Sequence, residues 1–125
     1  HPDRRVLAIA GDAGFLMNAQ EMETARRLDS DITVMIWEDK AYGLISWKQD
    51  TQFGKHTDLS FGNPDWLLLA EAFGWKGHQV ENSRDLAGVL ESALAEPGPS
   101  LVVVPIDYRE NGLLTRKLGE ITCQI

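Results

Sequence analysis

Apolar residues fall into four short runs separated by helical patterns and turn residues. Val6 to Ala10 (VLAIA) ends at Gly11, and a run this short closed by glycine predicts a fully buried strand. From Asn18 to Leu28 the apolar positions shift to Ala19, Met22, Ala25 and Leu28 with charges between them, which predicts a helix. Asn18 is its expected cap, with Glu21 three residues on as in a capping box. Ile32 to Trp37 (ITVMIW) is apolar or β-branched throughout and predicts a second buried strand. Strand, helix, strand is a βαβ unit, whose strands run parallel.

The remaining stretches follow the same alternation. Tyr42, Ile45 and Gln49 fit one face of a short helix over 42–52, and 53–61 (FGKHTDLSF) reads as an exposed loop. Asn63-Pro64-Asp65 predicts a helix start with Asn63 as cap, ending near Phe73 at Gly74. Gly77 to Val80 is a short third strand. Ser83 is the expected cap of a helix carrying Leu86, Val89, Leu90 and Leu94, stopped by Pro97-Gly98-Pro99. Leu101 to Ile106 is a fourth buried strand, and one short helix is expected around 113–118. The fold class is therefore α/β: a doubly wound, mainly parallel sheet with helices on both faces, in a single domain.

In such sheets ligands bind outside the carboxyl ends of the strands. After the first strand stands Gly11-Asp12-Ala13-Gly14, and after the second Glu38-Asp39-Lys40-Ala41-Tyr42-Gly43. If these strands are neighbours, Asp12 and Asp39 face one crevice. Paired carboxylates suit a hard cation such as Mg2+, which prefers a few carboxylates together with phosphates and water. Gly11 and Gly14 let a ligand approach the backbone, and N–H groups from Ala13 onward can hold phosphate oxygens. An acid at a strand end also serves as a helix cap or turn former, and spacing alone leaves both readings open.

Composition narrows the classes. The 125 residues carry a formal net charge of −7, which argues against a nucleic-acid surface. No apolar run approaches the length of a membrane span, and no signal peptide is evident. Cys123 is the only cysteine, so there is no internal disulfide, which fits a cytoplasmic setting. His56 and His78 lack partners at ligand spacing and read as solvated or structural. Trp37, Trp66, Trp75, Met17 and Met22 read as core or interface residues.

These segments resemble thiamine diphosphate enzymes, which carry Gly-Asp-Gly followed, fewer than thirty residues later, by Asn-Asn. Here Gly11-Asp12-Ala13 and Glu38-Asp39 occupy those positions. The flanking GFLMNAQEMETARRL, AYGLI, DLSFGNPDWLLLAEAFGW and VPIDYRENGLLTRKLGEI are similar to acetolactate synthases and their decarboxylase relatives. The resemblance implies a C-terminal, diphosphate-binding domain over residues 1–125, truncated from a longer enzyme. It implies Mg2+ held by Asp12, Asp39 and the Ala41 carbonyl. It implies thiamine diphosphate bound along Gly11, Asp12, Ala13, Gly14, Asp39, Tyr42, Gly43 and Leu44.

The implied activity is an acetolactate synthase-like carboligation of pyruvate or another 2-ketoacid, in branched-chain amino acid biosynthesis. The alternatives are a 2-ketoacid decarboxylase, a sulfoacetaldehyde acetyltransferase-type relative, or a non-catalytic phosphate-binding module. The family's activating glutamate sits on a pyrimidine-binding domain of the same or a partner subunit. This stretch is therefore expected to be inactive alone, with no catalytic residue of its own, within a homo-oligomer. A flavin in a further domain stays open. The sequence departs from the pattern at Ala13, which stands for glycine, and at Glu38-Asp39, two acids where amides are usual. Glu38 is expected to face solvent or a partner. Trp47 and Lys48 lie where synthases carry residues that help choose the acceptor.

Overall fold

The computed structural model describes residues 4–108. The helix expected at 113–118 and Cys123 lie outside them. Four strands, β1 (Val6–Gly11), β2 (Ile32–Glu38), β3 (Lys76–Gln79) and β4 (Ser100–Pro105), form one sheet in the order β1-β2-β4-β3. All three pairings are parallel. Five α-helices connect them: α1 (Asp12–Leu16), α2 (Glu21–Arg27), α3 (Gly43–Phe53), α4 (Trp66–Ala72) and α5 (Leu86–Ala95), the last preceded by a 3-10 turn over Ser83–Asp85.

The two central strands explain the most apolar sequence. Alternate residues of β2 and β4 point to opposite faces, and both faces are covered. On one, Val34, Ile36, Leu101 and Val103 pack with Met22, Trp66, Ala70 and Trp75 from α2, α4 and the turn that follows α4. On the other, Met35, Val102, Val80 and Ala93 pack beneath Leu86, Val89 and Leu90. Burying each Val, Leu, Ile or Met among them contributes about 1.5–3 kcal/mol. At the amino ends of these strands, buried Thr33 and Ser100 satisfy each other through a 2.9 Å hydroxyl hydrogen bond.

β1 corrects the expectation of a fully buried strand. It lies at the sheet's edge, with Val6 47% and Ile9 55% exposed. Its composition is that of a covered strand, but only β2 flanks it among the described residues. Met17 is likewise exposed at 68%, whereas Met22 is buried.

The caps differ too. α2 begins at Glu21 with no side-chain cap bond, and the extra helix α1 starts directly at Asp12. Asn18 instead closes the intervening turn, its carbonyl accepting from the Glu21 N–H. α4 is capped by Asp65, whose carboxylate accepts from the Leu67 and Leu68 N–H groups at 3.0 Å, and not by Asn63. Ser83 opens the 3-10 turn without capping α5 through its side chain. Each is a contest between neighbouring cap-forming residues, which local preference alone does not settle.

Leu101 is fully buried on a central strand, while Leu68 on α4 is 62% exposed. Leu101→Ala is expected to cost about 2–5 kcal/mol in urea unfolding, and Leu68→Ala less than about 0.5. Equal losses would contradict this placement of the core.

Candidate functional site

The register of β1 and β2 pairs Gly11 with Trp37, so both strands end at the same level. Asp12 and Asp39 leave the sheet side by side. Asp12 opens α1 and is 2% exposed. Its Oδ1 accepts from the Ala13 N–H at 2.8 Å. Its Oδ2 accepts from the Lys40 N–H and from Asn63 Nδ2, both at 2.8 Å. A buried carboxylate needs such donors to replace lost water.

The Lys40 contact depends on an unusual turn. Lys40 adopts φ 58°, the left-handed region that costs an L-residue about 1–2 kcal/mol. That conformation directs its N–H at Asp12 and sends the chain into an antiparallel bridge of Ala41 with Ser60. The bridge uses the Lys40 carbonyl, which accepts from Phe61, and the Tyr42 N–H, which donates to Leu59. The Ala41 carbonyl is not spent on it. The stretch 53–61, expected to be an exposed loop, is therefore tied back at its far end, with the Phe61 ring 5.1 Å from that of Tyr42. Gly43 then starts α3 so close to the Asp39 carboxylate that any side chain at this position would collide with it.

Asp39 accepts from the Ala41 N–H at 3.4 Å. Desolvation holds its carboxyl above the ordinary value of 3.8, and the Asp12 charge beside it adds to the effect. The Ala41 hydrogen bond opposes both. Tyr108, just past the end of β4, is raised above 10.0 by desolvation first and by Asp39 and Asp12 second. Both shifts come first from burial, and the neighbouring carboxylates add to them.

A cavity of about 290 Å³ opens between these strand ends. It is lined by Gly11, Asp12, Ala13, Gly14, Asp39, Ala41, Tyr42, Gly43 and Leu44, the nine residues that the family resemblance implies for metal and cofactor, together with Ile45 and Tyr108. The sequence reading missed Tyr108. The available signal was its place two residues after the fourth apolar run, whose strand turns out to pair with β2. Trp47 and Lys48 lie farther along α3 and do not line this cavity. His56 stands apart on the surface, its Nδ1 2.8 Å from Asp50 Oδ1. His78 lies on the opposite edge strand, 4.0 Å from Glu96.

Two readings change. Glu38, expected to face solvent or a partner, turns inward: its Oε1 accepts from Asn63 Nδ2 at 3.0 Å and from Trp66 Nε1 at 2.8 Å. The Ala13 N–H, expected to be available to phosphate, is taken by Asp12. Ala13 itself sits in α1 and is not among the residues with positive φ, so its departure from glycine carries no backbone strain.

Among the described residues, no three His, Cys, Asp or Glu side chains converge as a metal cage. Two adjacent carboxylates and a nearby carbonyl instead fit a cation that completes its shell with phosphate oxygens and water.

Over residues 1–104 the chain matches the family described as "Thiamine pyrophosphate enzyme, C-terminal TPP binding domain". It is 37% identical over 118 residues to the catabolic acetolactate synthase of Raoultella terrigena, covering 94% of this chain and 21% of that protein. It is 37% identical over 125 residues to the acetolactate synthase of Bacillus subtilis (strain 168), covering 96% of this chain and 22% of that one. The chain thus spans about a fifth of these relatives. Among solved structures it is similar to the Rhodococcus jostii RHA1 thiamine diphosphate-dependent 4-hydroxybenzoylformate decarboxylase. The TM-score there is 0.78 at 25% identity, covering 87% of this chain and 21% of that one.

A raised carboxyl binds more protons folded than unfolded across the window above 3.8, so the Asp39 contribution to stability falls as pH rises through that window. Asp39→Asn removes this penalty. Without metal, its melting temperature at neutral pH is expected to exceed that of the unsubstituted protein, with the gap closing below about pH 4. A gap that persists unchanged into acid would show that Asp39 is not the group responsible.

Proposed function

The chain belongs to the family of thiamine pyrophosphate enzyme C-terminal TPP binding domains, and from that we propose that Asp12 and Asp39 hold Mg2+ while the surrounding backbone holds the cofactor's diphosphate. The supporting observation is the single cavity at the ends of β1 and β2, where two carboxylates meet beside glycines and the start of a helix. The Ala41 carbonyl, free of the adjacent bridge, is the third protein ligand in this reading. Gly11, Gly14 and the first turn of α1, with Tyr42, Gly43 and Leu44 across the cavity lining, would hold the diphosphate. Asp39 in place of a neutral amide adds charge at the cation, and Ala13 serves through Asp12 instead of through a free N–H.

When bound, thiamine diphosphate supplies carbanion stabilisation; the protein supplies orientation and electrostatics. Here Asp12 is fixed by three donors and kept from water, so its position does not have to reorganise when a cation arrives. Asp39 and Tyr108 sit in a charge field that a cation would relieve.

For the whole protein we propose an acetolactate synthase-like carboligation of 2-ketoacids, since the relatives at 37% identity are acetolactate synthases. The decarboxylase similarity is weaker, at 25%. In this reading the pyrimidine-binding domain of the same or a partner subunit completes the site within a cytoplasmic homo-oligomer. Residues 1–125 alone then bind without turning over substrate.

Calorimetry of the full-length protein tests the cofactor reading: Mg2+-dependent binding of thiamine diphosphate is expected, and no heat with either would sink it. With pyruvate the product is expected to be acetolactate; aldehyde alone would favour the decarboxylase. Asp39→Ala removes a ligand oxygen and is expected to raise the Mg2+ requirement at least about tenfold; an unchanged requirement would remove Asp39 from the metal. Ala13→Gly is expected to leave cofactor affinity unchanged and to cost up to about 1 kcal/mol in helix stability. A large affinity loss there would mean that the Ala13 side chain itself matters.

A further inference from the structure

The loop before α4 reaches into the site from outside the two strand ends that define it. Asn63 places the two N–H groups of its carboxamide on two different carboxylates, Asp12 Oδ2 at 2.8 Å and Glu38 Oε1 at 3.0 Å. Glu38 Oε1 also accepts from Trp66 Nε1 at 2.8 Å. Trp66 is 4% exposed and meets the Phe15 ring edge-on at 5.9 Å. A chain of contacts therefore runs from the core to the site: packing fixes the indole, the indole fixes Glu38, Glu38 fixes the carboxamide, and the carboxamide reaches Asp12.

The carboxamide has only one workable orientation. Asn63 Oδ1 is buried without a partner. Turning the group over would set that oxygen against two carboxylate oxygens, so it stays unpaired while both N–H groups are used. The consequence falls on Asp12. A carboxylate offers about four lone-pair directions. The Lys40 and Asn63 donors fill Oδ2, and Ala13 takes one direction on Oδ1. What remains open to a cation is a defined direction on Oδ1.

We propose that Asn63 is a positioning residue for the cation site, its carboxamide fixing the Asp12 carboxylate, with Glu38 and Trp66 fixing the carboxamide in turn. The inference rests on the reading of Asp12 as a cation ligand. It gives Glu38 a role as a hydrogen-bond acceptor, for which its charge is not required. It also explains why Asn63 leaves the capping of α4 to Asp65.

The test uses the full-length protein with saturating thiamine diphosphate. Mg2+ affinity is measured by calorimetry, and the geometry of the bound ion by the electron paramagnetic resonance line shape of Mn2+ in its place. Asn63→Leu keeps the volume and removes the donors. It is expected to weaken Mg2+ binding about tenfold or more and to alter the Mn2+ line shape, the scale seen for groups that orient metal ligands. Glu38→Ala is expected to do likewise. Glu38→Gln keeps an oxygen that accepts from both Asn63 and Trp66, and is expected to recover most of the affinity and the original line shape.

Asn63→Leu binding Mg2+ within about threefold of the unsubstituted protein would overturn the inference. So would Glu38→Gln as weak as Glu38→Ala, because charge and not position would then be what Glu38 supplies. If Asn63→Leu does not fold, the Glu38 pair decides alone. Unsubstituted protein that binds no Mg2+ would overturn the proposed function itself, and this inference with it.

Discussion

The buried carboxylate of Asp12 organises the ligand end of this molecule. It lies where β1 passes into α1, and its three donors come from three places: its own helix, the turn after β2, and the loop before α4. Those segments are 1, 28 and 51 residues away in sequence. An unpaired carboxylate at this depth would cost several kcal/mol. Satisfying it obliges the Lys40 turn to adopt a left-handed conformation and Asn63 to give up the helix cap for which its position suits it. The local irregularities of the site are therefore consequences of one requirement.

The sheet makes this arrangement possible. Parallel strands that start and stop in register bring their carboxyl ends to one edge, and the two layers of helices hold the central strands on both faces. The strands deliver Gly11, Trp37 and Val104 to the same level, while the chemistry is left to the residues just beyond. The two central strands supply half of the buried core residues, so Asp39 follows a strand packed on both faces. α3, which forms one wall of the cavity, buries none of its residues. Its position rests on Gly43 at Asp39 and on the bridge from Ala41 to Ser60.

The departures from the family pattern also become consistent at this level. Ala for glycine is harmless at residue 13 because the backbone there is helical. Glu38 replaces an amide but turns toward Asn63 and the Trp66 indole, away from bulk solvent. Three acids thus cluster at two strand ends: Asn63 donates to both Asp12 and Glu38, while the Asp12 charge acts directly on Asp39, which is the pairing that a cation would resolve.

The sequence by itself determined the alternation of strands and helices, and therefore the α/β class. Runs such as ITVMIW and LVVVPI can be buried on both faces in few other ways. It also marked the strand ends, and with the family resemblance it named nine residues that the structure gathers around one cavity. Those are local or periodic signals, written within a few residues of where they act. What only the tertiary structure decided is what depends on which segments become neighbours. β1 is an edge strand although its composition is that of a covered one. Asn63 is a donor to carboxylates and not a cap, Glu38 points inward, and Tyr108 joins the site through the pairing of β4 with β2. A side chain that can cap, turn or bridge chooses among these by the charge placed opposite it, and that charge is supplied from a distant part of the chain.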